Sequence, residues 1–351
     1  MILKRGTTMK ARKIVLLAAL PAAILMANSA MAGVDVYGKI NVTLQDYQLE
    51  DDATPANDRD HWELNSNASR FGVKASQDLG DSGLKAIAKL EYQIDADNGT
   101  NSNNREFSQR NIYGGLQGNF GTVIAGKFDT PVKEAQGKVD LFNDLKLGDI
   151  SDLMEGENRP DNIIMYSTPK MDNGLSFNAA IMPGEGADLD IDGATDDGVA
   201  DAVSASVTWE NKNLYLALAA EQGVDAMDSL VRLVGQVKMG DMTLGAIIQQ
   251  SEKNDNDTTL ADEADEQEAY TLSLAYKMGK AVFKAQYTMS ETDDVSANND
   301  IDRKQFNLGV DYSLDKKAKV FAYWGDYTLE NSANSNEVQA DTIAFGYEYS
   351  F

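Results

Sequence analysis

Apolar and polar residues alternate along this chain with a period of two, in run after run. Val34, Val36, Ile40, Val42 and Leu44 interleave with Asp35, Tyr37, Lys39, Asn41, Thr43 and Gln45. Leu84, Ala86, Ala88, Leu90, Tyr92 and Ile94 alternate with Lys85, Lys89, Glu91 and Gln93. Tyr270, Leu272, Leu274 and Tyr276 alternate with Thr271, Ser273, Ala275 and Lys277, and Phe306, Leu308, Val310 and Tyr312 with Asn307, Gly309 and Asp311. At the end, Phe345, Tyr347, Tyr349 and Phe351 alternate with Ala344, Gly346, Glu348 and Ser350. This period predicts strands with one face in an apolar medium and the other in water. The runs are about ten residues long, enough for a tilted strand to cross a bilayer. A sustained i, i+3, i+4 stripe is found only near the start and in a short piece of the third long connection.

The connections alternate too. Short turns fall at 80–83, 118–121, 170–174, 211–213, 240–241, 279–280 and 314–317. Long polar segments fall near 48–60, 96–105, 129–159, 183–200, 222–227, 251–267, 291–301 and 328–338. Seven short and eight long connections join sixteen strands. Beyond Gly33 no run of about twenty apolar residues offers a spanning helix. A membrane protein made from this chain therefore spans as a closed barrel, since an open sheet leaves backbone groups unpaired in lipid. The expected fold is all-β: a sixteen-stranded antiparallel transmembrane barrel with short periplasmic turns and long extracellular loops. A mean hydropathy of −0.39 fits, because half of each barrel strand faces water.

The first residues read as an export signal. Lys10, Arg12 and Lys13 precede the apolar stretch 14–26, and Ala30-Met31-Ala32 offers cleavage after Ala32. Met9 reads as the better start, and residues 1–8 are then expected to be a start-site artefact. Residues 33–351 then form one barrel domain in the outer membrane. The signal removes Lys4, Arg5, Lys10, Arg12 and Lys13 and no acid, taking the formal charge from −25 to −30. Such a surface attracts cations and argues against nucleic acid as a partner. The absence of Cys excludes disulfides and thiol chemistry. His61 is the single histidine, and no serine has a claim on it, so the chain reads as a non-enzyme without a cofactor. Asp188, Asp190 and Asp192 before Gly193 have the spacing of half a calcium loop, but Val199 occupies the twelfth position. The acid-rich segment 251–268 reads as a solvated loop, or as a divalent bridge to lipopolysaccharide phosphates.

Four segments carry a family resemblance: Val34-Asp35-Val36-Tyr37-Gly38-Lys39; Ser69-Arg70-Phe71-Gly72-Val73-Lys74; Arg110 to Leu116 with Phe120 to Lys127; and Glu157-Asn158-Arg159 with Asn162 to Pro169. In this order they resemble the trimeric general porins of Gram-negative bacteria. The terminal Phe351, with Tyr349 and Tyr347, resembles the signal read by the barrel-assembly machinery. The resemblance implies a homotrimer, with the first strands at the contact, surrounded by outer-membrane lipid and lipopolysaccharide. It also implies that the loop about 129–159 folds inward and narrows the pore.

Matching motif by motif sets Lys39, Arg70, Arg110 and Arg159 on the basic wall. The pleat adds Lys74, Lys85 and Lys89, which share the polar register. The loop acids are Asp140, Asp144, Asp149, Asp152, Glu155 and Glu157. The loop lacks the Pro-Glu-Phe-Gly-Gly-Asp stretch of enteric members, and Asp149 and Asp140 lead as constriction acids. The segment after Arg110 alternates less cleanly, as if part of it faced a neighbouring subunit. The expected function is passive diffusion of ions and small hydrophilic solutes with a preference for cations. Weak anion preference is the alternative if the wall bases dominate. A channel selective for a sugar or organic acid is a rival, and a structural barrel a third.

Overall fold

The alternating runs become strands in the computed structural model, which describes residues 33–98, 107–185, 198–225, 227–254, 264–294, 299–332 and 336–351. The proposed signal and Asp188, Asp190 and Asp192 lie outside the described residues. In chain order the strands are β1 (Val34–Asp51), β2 (Arg59–Ser66), β3 (Arg70–Asp78), β4 (Lys85–Ile94), β5 (Phe107–Gly118) and β6 (Gly121–Lys127). Then come β7 (Ile163–Ser167), β8 (Leu175–Met182), β9 (Ala202–Glu210), β10 (Leu214–Gln222), β11 (Met227–Met239) and β12 (Met242–Asn254). The last are β13 (Ala264–Met278), β14 (Ala281–Asp294), β15 (Asn299–Ser313), β16 (Ala318–Asn331) and β17 (Asn336–Ser350). Neighbours pair antiparallel, and β1 pairs β17 from Lys39↔Ser350 to Asp51↔Val338, which closes the barrel.

Seventeen segments make sixteen staves, because β2 and β3 are two parts of one. Both lie against β1, β2 along Val42 to Leu49 and β3 along Val34 to Lys39. The break at 67–69 puts Ala68 at φ 48°. Ser69 Oγ stitches it by accepting from Asn41 N and donating to Asn41 O, both at 3.0 Å.

The pleat sorts the side chains as alternation predicts. Asn41, Thr43 and Gln45 of β1 are buried inside, while Leu44, Leu64, Leu272 and Phe345 lie exposed on the outer face, where lipid covers them. Exposed aromatics gather towards both ends of that face. Phe120, Tyr276, Phe283, Tyr312, Tyr347, Tyr349 and Phe351 lie towards the short turns, and Trp62, Phe107 and Tyr270 towards the long connections. These are the two interfacial girdles of a membrane barrel. In the two-residue turns, Gly240 and Gly279 both have φ 62°, a left-handed value that glycine adopts without strain.

Several strands outrun their expected ends. β1 continues to Asp51, and Asp293↔Asp300 and Glu330↔Glu337 still pair where polar loops were expected. Side-chain polarity marks where lipid ends, but backbone hydrogen bonding continues into water.

Phe351 closes the seam. Its N–H donates to Gly38 O at 3.0 Å, and Gly38 N donates back to Phe351 O at 3.2 Å. The ring covers Gly38 so closely that a Cβ there would collide with it. Gly38→Val is expected to displace the ring and cost about 1–3 kcal/mol, as overpacking does. A denaturation midpoint equal to that of the unaltered protein would refute this packing.

Candidate functional site

The segment between β6 and β7 turns into the barrel and lies along its inner wall. It starts with a short helix, α1 (Pro131–Ala135), capped by Thr130, whose side chain accepts from Lys133 N. It contains a 3₁₀ turn at Ile150–Asp152, capped by Asp149. Its apolar side, Val132, Ala135, Val139, Ile150, Leu153 and Met154, packs on Ala217 and Ala219 of β10, Leu230 and Val234 of β11, Ile247 of β12 and Ala269 of β13. Phe142 and Leu145 pack on Phe321, Tyr323 and Ala344. The chain carried a signal for this dock. Leu214-Tyr215-Leu216-Ala217-Leu218-Ala219-Ala220 lacks alternation because both of its faces are covered.

A polar ladder fastens the loop backbone, with one side chain from each of six consecutive strands. Gln236 donates to Lys138 O at 3.1 Å, Gln249 to Glu155 O at 3.1 Å, Asn307 to Leu147 O at 2.5 Å and Tyr323 to Lys146 O at 2.9 Å. Gln267 accepts from Glu155 N at 3.2 Å and Gln286 from Leu141 N at 2.7 Å. Arg232 of β11 locks the neck. Its side chain is 0% exposed and its Nη1 lies 2.6 Å from Glu157 Oε1. It also donates to Gln249 Oε1 at 2.8 Å, Glu155 O at 2.8 Å and Val132 O at 3.3 Å, joining the two ends of the loop.

The loop's other side meets the bases. Asp144, at φ 68°, accepts from Arg70 Nη2 at 2.6 Å and Lys39 Nζ at 3.0 Å. Burial would raise its carboxyl, but Lys39, Arg70 and Arg110 outweigh that and hold it below the usual carboxylate range. Asp149 Oδ2 accepts from Asp144 N at 2.8 Å and so positions the tip. Asp140 is folded into the loop's own scaffold, bonded by Phe142 N and Gln286 Nε2, both at 3.1 Å. Of the two acids favoured from sequence, Asp149 lines the opening as the positioner of Asp144, and Asp140 holds the loop to β14. Glu157 is buried against Arg232, while Asp152 and Glu155 line a separate chamber.

On the wall, Glu91 is a hub. It accepts from Tyr37 OH at 2.8 Å and lies 3.2 Å from Lys89 Nζ and 3.4 Å from Arg110 Nε. Arg159 pairs with Asp129 at 2.7 Å, and Lys133 lies 3.8 Å from the same carboxylate. Lys74 Nζ sits 4.8 Å above the Tyr37 ring. Lys85 is half-exposed near a short turn, 3.6 Å from Asp78 and away from the opening. Arg110 and Asn111 are consecutive, yet both reach the lumen. The register between β4 and β5 shifts between Leu90 and Tyr92, and this bulge re-aims one of them. It accounts for the poor alternation after Arg110.

The resulting opening has a volume of about 310 Å³. Arg70, Arg110, Lys133 and Arg159 line it, with Asp129, Glu134, Asp144, Asp149 and Glu157. Of these, Asp129, Lys133 and Glu134 escaped the sequence reading, as did Glu91 beside the opening and Arg232 behind the loop. The inward register of Lys85, Lys89 and Glu91 carried a signal for Glu91.

A model of the Gram-negative porin family matches residues 16–334. Major outer membrane protein P.IB of Neisseria gonorrhoeae is 26% identical over 338 residues, which cover 88% of this chain and 91% of that protein. Outer membrane porin protein 32 of Delftia acidovorans is 29% identical over 184 residues, 50% of each chain. Among solved structures, the anion-selective porin from Comamonas acidovorans superposes with a TM-score of 0.74 at 21% identity, covering 91% of this chain and 99% of that one. Salmonella typhi OmpF in complex with daunomycin gives 0.66 at 15% identity, covering 91% and 97%. With the family model matched over most of its length and a closed sixteen-stave barrel around an inward loop, this chain belongs to the Gram-negative porin family and is an outer-membrane porin.

Proposed function

We propose that the chain is a general diffusion channel with a preference for cations, exported by a signal cleaved after Ala32 and assembled as a homotrimer among lipid and lipopolysaccharide. Solutes cross passively and are held weakly, since conduction requires release as well as entry. The preference is carried by one observation: each base at the opening has a carboxylate within ion-pair distance. Arg70 pairs with Asp144, Arg110 with Glu91, and Arg159 and Lys133 with Asp129. Three carboxylates serve these four bases, but Glu134, Asp149 and Glu157 bring the lining to five acids against four bases, and outside it the net charge sets the sign, −25 for the full chain less the five bases of the signal. The Comamonas acidovorans neighbour is described as anion-selective, so the sign is the property to measure. Single-channel recording across a KCl gradient is expected to give a reversal potential favouring potassium. Chloride preference overturns the sign, and folded protein that does not conduct overturns the channel.

The preference is also expected to weaken on acidification. Glu134 faces the water of the opening, but the surrounding wall strips part of its hydration and Asp129 adds like charge. Its carboxyl is pushed up to about 7. Lowering pH from 8 to 6 protonates it and removes a negative charge from the opening. The folded state takes up this proton before the unfolded chain does, so Glu134 opposes folding less as pH falls. The potassium-to-chloride permeability ratio should fall through this window, and Glu134→Gln should flatten the titration. An unchanged titration in that variant would assign the proton elsewhere.

A further inference from the structure

A second chamber, separate from the opening, lies between the loop and the barrel wall, with a volume of about 390 Å³. Residues 151–155 form its loop side. Its wall side is the inward row of β12 to β15 next to the long connections, and so on the extracellular side of the ladder. Lys253 of β12 and Arg303 of β15 bring two cations to this wall. Among the described residues neither forms an ion pair within 4.0 Å, unlike the bases at the opening. Arg303 donates to Thr292 Oγ1 at 3.3 Å, and Lys253 is in register with Asp265. Asp152 and Glu155 supply carboxylates from the loop. Ser251 also lines the chamber and is 2% exposed, and its hydroxyl has no hydrogen-bond partner. A buried hydroxyl left unmatched costs free energy that a bound polar solute recovers.

We propose that this chamber is a docking site for small zwitterions, amino acids and short peptides that carry a carboxylate and an ammonium. Arg303 and Lys253 take the carboxylate, the loop acids take the ammonium, and Ser251 accepts or donates one further hydrogen bond. The chamber volume lies within the usual range for small-molecule pockets. Its role as a waypoint rests on the diffusion-channel reading, whereas its occupancy does not.

The test is saturation-transfer NMR with glycylglycine on the purified barrel in detergent micelles. The unaltered protein is expected to give a weak, saturable signal. Arg303→Gln and Lys253→Gln are separate variants, each checked for folding by heat-modifiable migration. Each is expected to weaken binding about tenfold, as for the loss of a charge-assisted hydrogen bond. Lys304→Gln removes a neighbouring cation that pairs with Glu330 on the outer face, and should bind as the unaltered protein does. Absence of a saturable signal, or binding by both chamber variants as tight as that of the unaltered protein, overturns the proposal. KCl conductance of the same preparation reports on the channel separately: binding without conductance overturns the channel and keeps the chamber.

Discussion

Arg232→Met is expected to cost the barrel about 3–5 kcal/mol, the usual penalty for removing one partner of a buried ion pair. The methionine roughly keeps the volume, so the loss is electrostatic. Glu157 is left buried with Lys133 4.0 Å away, the Val132 carbonyl loses its side-chain donor, and the Glu155 carbonyl keeps only Gln249. Both ends of the loop loosen together, because the lost guanidinium tied one to the other. Unitary conductance should become noisy as the neck moves, and the denaturation midpoint should fall. Adding Glu157→Gln should restore part of the midpoint by removing the stranded charge. A single variant as stable and as quiet as the unaltered channel would show that the apolar dock and the polar ladder suffice to hold the loop.

Asp144→Asn is expected to shift selectivity towards anions more than neutralising any other loop acid. It leaves Lys39 and Arg70 without the carboxylate that both share, at 3.0 and 2.6 Å. A unit charge some 6 Å from a passing ion is worth about 1 kcal/mol at an effective dielectric constant near 50, or roughly fivefold in the permeability ratio. Stability should change little by comparison, because the amide still accepts from both bases. Asp140→Asn, inside the loop's scaffold, should alter selectivity far less. If both variants shift the reversal potential equally, Asp144 is not the acid that faces the ions.

The barrel was legible because its information is local. Lipid on one face and water on the other impose a period of two that each strand carries by itself, from Val34 to Phe351. The alternation of turns and loops then determined sixteen staves without any knowledge of contacts. The basic wall was legible for the same reason: Lys39, Arg70 and Lys89 sit in the polar register of strands whose outward faces are plain. Arg110 needed the family motif, because a bulge breaks the register beside it.

The loop obeys no period, and there the sequence by itself determined only an acidic composition. Six acids lie between residues 140 and 157, and nothing local separates Asp144 from Asp140 or Asp149. Three-dimensional packing separates them. The loop must cover the apolar patch around Ala217 and Ile247 and satisfy its backbone from six strands, and the path that does both brings Asp144 alone against Lys39 and Arg70. Arg232 was hidden for the same reason. In sequence it is a charged residue among Leu230, Val231, Leu233 and Val234, and only the folded loop, 75 residues away in the chain, supplies the carboxylate that makes its burial tolerable. Strand periodicity thus determined the vessel, and long-range charge pairing and packing decided the opening.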